Sequence, residues 1–224
     1  MKKKLYALFF ISLFLFGAFS IRALKQEDFP LLGKVIYLDA GHGGTDPGAE
    51  YKDIYEKDIN LSITLKLEEE LSKLGAIVYL TRNGDYDLSV PNTINRKRSD
   101  LSRRSNIINQ SMCDLFLSIH LNAEETGKWR GPQIFYDDAV EENEKIAELF
   151  QKDLNKALKG DREYKRVSDL YLQKGIKRPG VLVEVGFLSN ASDRYLLKDE
   201  TYQQKVAVVL KESVLKYFSA SRLS

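Results

Sequence analysis

The stretch KVIYLDAGHGG, residues 34–44, decides the fold. Lys34–Asp39 is a short run rich in β-branched and aromatic residues, the composition of a strand. It breaks into Gly41, His42, Gly43 and Gly44, where glycine lets the backbone turn sharply and approach a neighbour closely. The period then changes. Over Asp58–Leu74 the apolar residues Ile59, Ile63, Leu67, Leu71 and Leu74 share one helical face, with Lys66, Glu69 and Lys73 off it. Gly75 stands where such a helix closes, and Ala76–Thr81 reads as a second strand.

The alternation continues along the chain. Asp85–Asp100 is a polar surface loop, and Leu101–Ser111 a helix capped by Asp100. Leu115–His120 is a third, apolar strand. Gln133–Tyr136 forms a strand after the Gly131-Pro132 turn. Val140–Leu158 is a helix on the stripe Ile146, Phe150, Leu154 and Ala157. Leu170–Gln173 reads as a short strand, and Val181–Val185 as a buried one interrupted only by Glu184. Tyr202–Phe218 is the last helix, with Tyr202, Val206, Val209, Val214 and Tyr217 inward. This order implies βαβ units: an α/β domain with a mostly parallel sheet and helices on both faces. There is no internal repeat.

Composition narrows the class. Of 224 residues, 43% are hydrophobic and 29% charged, a globular mix. The single cysteine, Cys113, excludes a disulfide framework and a Cys-rich zinc site, and reads as inert packing. There are 34 basic and 32 acidic residues; without Lys2, Lys3 and Lys4 the remainder carries −1. That balance gives no electrostatic argument for nucleic acid.

Those three lysines precede an uncharged run from Leu5 to Ile21, a basic then apolar order typical of an export signal. Ala18-Phe19-Ser20 offers small residues for cleavage. Left uncleaved, the 17-residue run is at the short limit of a spanning helix, roughly 17–25 residues, with its lysines inside. Residues 1–21 are therefore expected to be a signal peptide or membrane anchor, 22–33 a linker and 34–220 the domain. Both versions place the domain outside the cytoplasmic membrane.

The chemistry-bearing residues fall at strand ends. The chain has two histidines, His42 after the first strand and His120 at the end of the third. Glu184 closes the VLVEV strand, and Glu56 and Asp58 open the first helix. In a parallel sheet the strand C-termini share one edge, where ligands bind. Singly, each residue has an ordinary structural reading: a hydrogen-bonded histidine, a carboxylate at a helix N-terminus. Glu184 is the exception, since an unpaired buried carboxylate is costly. Together they form a catalytic metal set: two imidazoles and a carboxylate on zinc, with a second carboxylate to move a proton. Spacing does not choose between Glu56 and Asp58. No HExxH helix and no Gly-x-Ser-x-Gly elbow occurs.

With these motifs the sequence resembles the zinc-dependent N-acetylmuramoyl-L-alanine amidases, the amidase type 3 group. The matching segments are VIYLDAGHGGTDPGA, YEKDINL, TRNGD, the spaced Leu101, Arg104 and Asn109, DLFLSIHLNA and VLVEVGFLSN, in family order. The resemblance implies a twisted, mainly parallel six-stranded sheet. It implies His42, Glu56 and His120 as zinc ligands, selecting Glu56 over Asp58, and Glu184 as the catalytic glutamate. The implied reaction is hydrolysis, by zinc-activated water, of the amide between N-acetylmuramic acid and the L-alanine of the stem peptide. A compact domain behind an N-terminal anchor is similar to the sporulation amidases. That implies a role in spore-cortex maturation and germination, coupled to a deacetylase that completes muramic lactam. Some relatives need an activating protein partner. The rival readings are another zinc peptidoglycan peptidase and a non-catalytic wall-binding protein on the same fold. Arg96, Lys97, Arg98 and Arg103 read as a solvated face, Arg104 as structural, and Trp129 and Tyr136 as core aromatics rather than sugar platforms.

Overall fold

The structure is a computed structural model, and it describes residues 29–168 and 170–220. The expected signal or anchor at 1–21 lies outside the described residues, as does most of the expected linker. Among the described residues no helix is long and apolar enough to cross a membrane.

The first strand, β1 (Val35–Ala40), leads through a two-stranded hairpin, β2 (Glu50–Tyr51) and β3 (Ile54–Tyr55), into helix α1 (Glu56–Ser72). Then come β4 (Ile77–Leu80), α2 (Arg96–Gln110), β5 (Leu115–Asn122), β6 (Gln133–Tyr136) and α3 (Glu142–Leu158). β7 (Lys165–Arg166), α4 (Tyr171–Gly175), β8 (Gly180–Phe187), α5 (Ala191–Leu197) and α6 (Glu200–Ala220) complete the fold. The six-stranded sheet runs β4-β1-β5-β8-β6-β7. All neighbours pair in parallel except β6 with β8. The α/β reading and the mostly parallel sheet stand, with one antiparallel seam.

Side-chain alternation along the strands sorts the molecule into two unequal faces. Ile36 and Leu38 of β1, Leu117 and Ile119 of β5, and Val181, Val183 and Val185 of β8 pack beneath α1, α3 and α6. On the other face, Tyr37 and Phe116 meet Ile108 of α2, Leu172 of α4 and Ile176. The polar strand residues Asp39, Ser118, His120 and Glu184 belong to this second, less thickly covered face. Register aligns two of them, because His120 pairs with Glu184 across β5 and β8, and Glu184 with Gln133 across β8 and β6.

Several elements differ from the sequence reading. The strand expected at Leu170–Gln173 is instead the short helix α4. A four-residue apolar run carries too little periodicity to separate the two. Helix α2 starts at Arg96, capped by the Asn95 side chain, which accepts from the Arg98 N–H at 3.0 Å. Asp100 lies inside that helix, and its carboxylate takes the Leu88 N–H and Arg104 Nε. The first turn of α2 is wholly polar and offered no apolar spacing to read. The last helix turns its core stripe slightly: Val206, Ala207, Leu210, Val214 and Phe218 are buried, while Tyr202, Val209 and Tyr217 are partly covered. Cys113 is a buried free thiol, and burial raises its pKa.

The linker expected at 22–33 is corrected at its end. Leu31 is wholly buried in the main core, and its N–H donates to the Leu74 carbonyl at 3.0 Å. A linker residue has no such packing, so Leu31→Ala is expected to cost about 2–5 kcal/mol of stability. Urea unfolding at constant m-value measures it.

Candidate metal centre and its frame

Strand β1 ends at Ala40, and the carbonyls of residues 40–42 run past the sheet ladder. Buried carbonyls must be satisfied, and here two guanidinium groups do it. Arg82, just beyond β4, donates through Nε to the Ala40 oxygen at 2.9 Å and through Nη2 to those of Gly41 and Lys57 at 2.9 and 2.7 Å. Arg104 of α2 donates through Nη1 to the Ala40 oxygen at 2.7 Å and through Nη2 to that of His42 at 2.6 Å. Both arginines are about 1% exposed. Arg104 also holds Asp39 at 2.8 Å through Nη1 and Asp100 at 2.8 Å through Nε. The expected structural role of Arg104 is thus filled, whereas Arg96, Lys97, Arg98 and Arg103 are exposed.

The frame presents His42 in a left-handed conformation, φ 63°, which is strained for a residue with a side chain. A tight turn closes behind it, with Gly43 and Asp46 exchanging backbone hydrogen bonds at 2.9 and 3.1 Å. The turn brings the Asp46 carboxylate to His42 Nδ1 at 2.9 Å and leaves Nε2 facing Glu56. A carboxylate on one ring nitrogen orients the other for a metal. His120 approaches from β5, and its ring crosses that of His42 at 77° with centroids 4.9 Å apart. Gly41 makes room, since a Cβ there would lie 2.2–2.6 Å from the His120 ring.

Glu56 opens α1. The carbonyls of Ala49 and Pro47 take the first N–H groups of the helix, at 2.9 and 3.1 Å. The Ala49 N–H in turn donates to Glu56 Oε2 at 2.8 Å. The other oxygen, Oε1, is crowded: His120 Nδ1 at 3.0 Å, His42 Nε2 at 3.2 Å, Asn60 Nδ2 at 3.1 Å and the Leu121 N–H at 3.0 Å. One carboxylate oxygen has two lone pairs and does not satisfy four nitrogens. A cation shared by Glu56 and the two imidazoles resolves the crowding. One ligand atom from each of His42, Glu56 and His120 lies within 4.8 Å of the others, so the three residues fit a metal ion. Asp58, the alternative to Glu56, is exposed on the same helix.

Charge follows this geometry. Burial pulls His42 down, yet hydrogen bonds to Asp46 and Glu56 outweigh it and raise the imidazole to about 9. Burial raises Glu56, but His120 and His42 hold it well below the carboxylate range. Glu184 is lifted well above that range by burial and by the Glu56 charge. Its Oε2 is a buried oxygen with no hydrogen-bond partner, which marks a carboxylate kept for something other than structure.

Sequence reasoning missed Asp46, Asn60, Arg82 and Gly48. Gly48 has φ +70°, and a Cβ there would come within 2.5 Å of Glu56 Oε2. The TRNGD segment that holds Arg82 was the available signal. Trp129 is 58% exposed and so is no core aromatic, whereas Tyr136 is 7% exposed and is.

Two outcomes follow from the frame. Arg104→Met leaves Asp39 buried without its cation and is expected to cost about 3–5 kcal/mol in chemical denaturation. Burial raises Asp39, but the Arg104 charge and the Ser118 hydrogen bond overcome it and hold the carboxyl at about 2, below 3.8. A carboxylate depressed in this way stabilises the fold above about pH 4, and that stability is lost as pH falls through 2. Acid unfolding of wild type should therefore be shallower to pH 4 than below it, and Asp39→Asn should flatten the lower part.

Comparison with known proteins identifies the family. The family model described as N-acetylmuramoyl-L-alanine amidase matches residues 36–216. The germination-specific N-acetylmuramoyl-L-alanine amidase of Bacillus subtilis is 43% identical over 217 residues, covering 94% of this chain and 92% of that protein. The CwlD amidase of Clostridioides difficile, solved in complex with the GerS lipoprotein, is 42% identical at a TM-score of 0.79, covering 84% of this chain and 99% of that one. A second amidase structure, from Clostridium difficile 630, is 31% identical at 0.74, covering 83% and 97%. With its glycine-framed His42 facing Glu56 and His120 at one sheet edge, this chain belongs to the N-acetylmuramoyl-L-alanine amidase family.

Proposed function

We propose that this member of the family is a zinc enzyme that uses His42, Glu56 and His120 as ligands and Glu184 as its acid–base group. The chain is an N-acetylmuramoyl-L-alanine amidase, so the bond concerned joins the lactyl group of muramic acid to L-alanine. The observation that carries the residue roles is the unpartnered Glu184 Oε2, on the strand paired in register with His120. Two nitrogens and one carboxylate suit zinc, which when bound supplies a Lewis acid that polarises the amide carbonyl and sharpens the acidity of water.

The side chains do the rest. Asp46 fixes the His42 ring through Nδ1, and Asn60 and the Ala49 and Leu121 N–H groups fix the Glu56 carboxylate. Glu184, a buried carboxylate whose Oε2 has no other partner, receives the proton of the attacking water and hands it to the leaving amine. A wall-binding protein has no use for such a carboxylate, and a stem peptidase on this site would cut a different amide.

The biological setting is read by analogy. The relative named germination-specific supports a role in spore-cortex processing; in that setting the stripped muramic acid would pass to a deacetylase. Action on peptidoglycan supports a place outside the cytoplasmic membrane, reached through the signal or anchor at 1–21. The relative solved with a lipoprotein supports a protein partner of that kind.

Glu184→Gln is expected to keep the fold and one zinc per chain while release of stem peptides beginning at L-Ala falls about 100–10,000-fold. Mass spectrometry of peptidoglycan digests, with zinc analysis of the same protein, checks both. Full activity in this variant would remove Glu184 from the mechanism.

A further inference from the structure

One strand over from Glu184, a cleft of about 480 Å³ is lined by Gln133, Trp129 and Arg162 and by none of His42, Glu56, His120 or Glu184. Its position follows from register. Gln133 of β6 pairs with Glu184 of β8, and directly paired residues point to the same face of a sheet. Gln133 Oε1 accepts from Arg162 Nε at 2.9 Å, and Gln133 Nε2 donates to the Glu163 carbonyl at 2.8 Å. The guanidinium is stacked twice: its central carbon lies 4.8 Å from the Trp129 ring centroid and 5.1 Å from that of Phe187. Nε is spent on Gln133. Among the described residues the two Nη nitrogens have no hydrogen-bond or ion-pair partner, and they belong to a side chain already fixed in place.

From these contacts we infer that Arg162 binds a free carboxylate of the stem peptide, on the leaving side of the scissile amide. The inference rests on the amidase reading above. The lactyl carboxyl is itself consumed in the amide, so free carboxylates of such a substrate lie along the peptide. Strands are about 4.8 Å apart, so a group held by Gln133 stands on the order of 10 Å from the reacting carbonyl, about three residues of extended peptide. A guanidinium fork presents parallel N–H donors that match a carboxylate, and a fork held in place loses little freedom on binding. Lys128 and Arg130 line the same cleft, but so do Asp161 and Glu163. The cleft therefore has no strong general field, and recognition falls to the one preorganised group. The exposure of Trp129 is accounted for as the outer wall of the slot that holds Arg162.

The test uses the full zinc-loaded chain and a muramyl tripeptide with its stem carboxyl groups either free or amidated. Wild type is expected to favour the free acid by about 10–100-fold in kcat/KM. Arg162→Gln should abolish that preference while cleaving the amidated compound at close to the wild-type rate. Arg162→Lys, which keeps the charge and loses the fork, should fall between. Calorimetry with the free stem tripeptide should show binding to wild type and none to Arg162→Gln. A preference that survives in Arg162→Gln, or an equal loss on both substrates, overturns the inference. If wild type cleaves neither compound, the amidase reading fails instead, and calorimetric binding that depends on Arg162 still upholds the carboxylate site.

Discussion

The site depends on the satisfaction of three carbonyls. Strand β1 must stop abruptly to deliver His42, and stopping leaves the oxygens of residues 40–42 buried without a strand to receive them. Arg82 and Arg104 fill that need, and both reach the Ala40 oxygen. Two guanidinium groups converging on one carbonyl repel each other; burial and this repulsion lower the Arg82 pKa. Asp39 and Asp100 supply the compensating charge next to Arg104. Because each donor has a fixed direction, the turn has one geometry. The strained φ of His42 persists because the surrounding bonds over-determine it.

That frame explains how the candidate metal centre is assembled from residues scattered along the chain. The parallel strands β1, β5 and β8 end together, so His42, His120 and Glu184 share an edge. The backbone capping of α1 by the 47–49 loop then swings Glu56 beneath both imidazoles. Charge is arranged as deliberately as shape. Glu56 is held ionised by its nitrogens, while Glu184, on the strand beside His120, is pushed toward its neutral form. Neighbouring carboxylates with opposed pKa shifts are suited to different tasks, one to hold a cation and one to carry a proton. The row His120, Glu184, Gln133 extends this division across the sheet toward Arg162.

What was legible in the sequence was whatever has a local cause. The strand–helix alternation follows from side-chain period, and the placement of His42 and His120 at strand ends follows from where that period breaks. Glu184 was conspicuous because a carboxylate interrupts an apolar run. The start of α2 was not legible, since its first turn is polar and its cap is Asn95. The helix at Tyr171–Gly175 was not either, since so short a segment takes its form from what it packs against. Leu31 gave no sign that it belongs to the core.

The sequence by itself determined the α/β class, the parallel sheet edge and the residue types that gather there, because hydrophobic period and strand termini are properties of neighbouring residues. Spacing left Glu56 and Asp58 open and the resemblance chose Glu56; the tertiary structure supplies the reason, since both share one helical turn and the 47–49 loop turns Glu56 inward while Asp58 stays exposed. It alone turned Arg82 from a loop residue into a buried clamp. It also set Gln133, which holds Arg162, opposite Glu184, because pairing between β6 and β8 joins segments some fifty residues apart and no local pattern records that register.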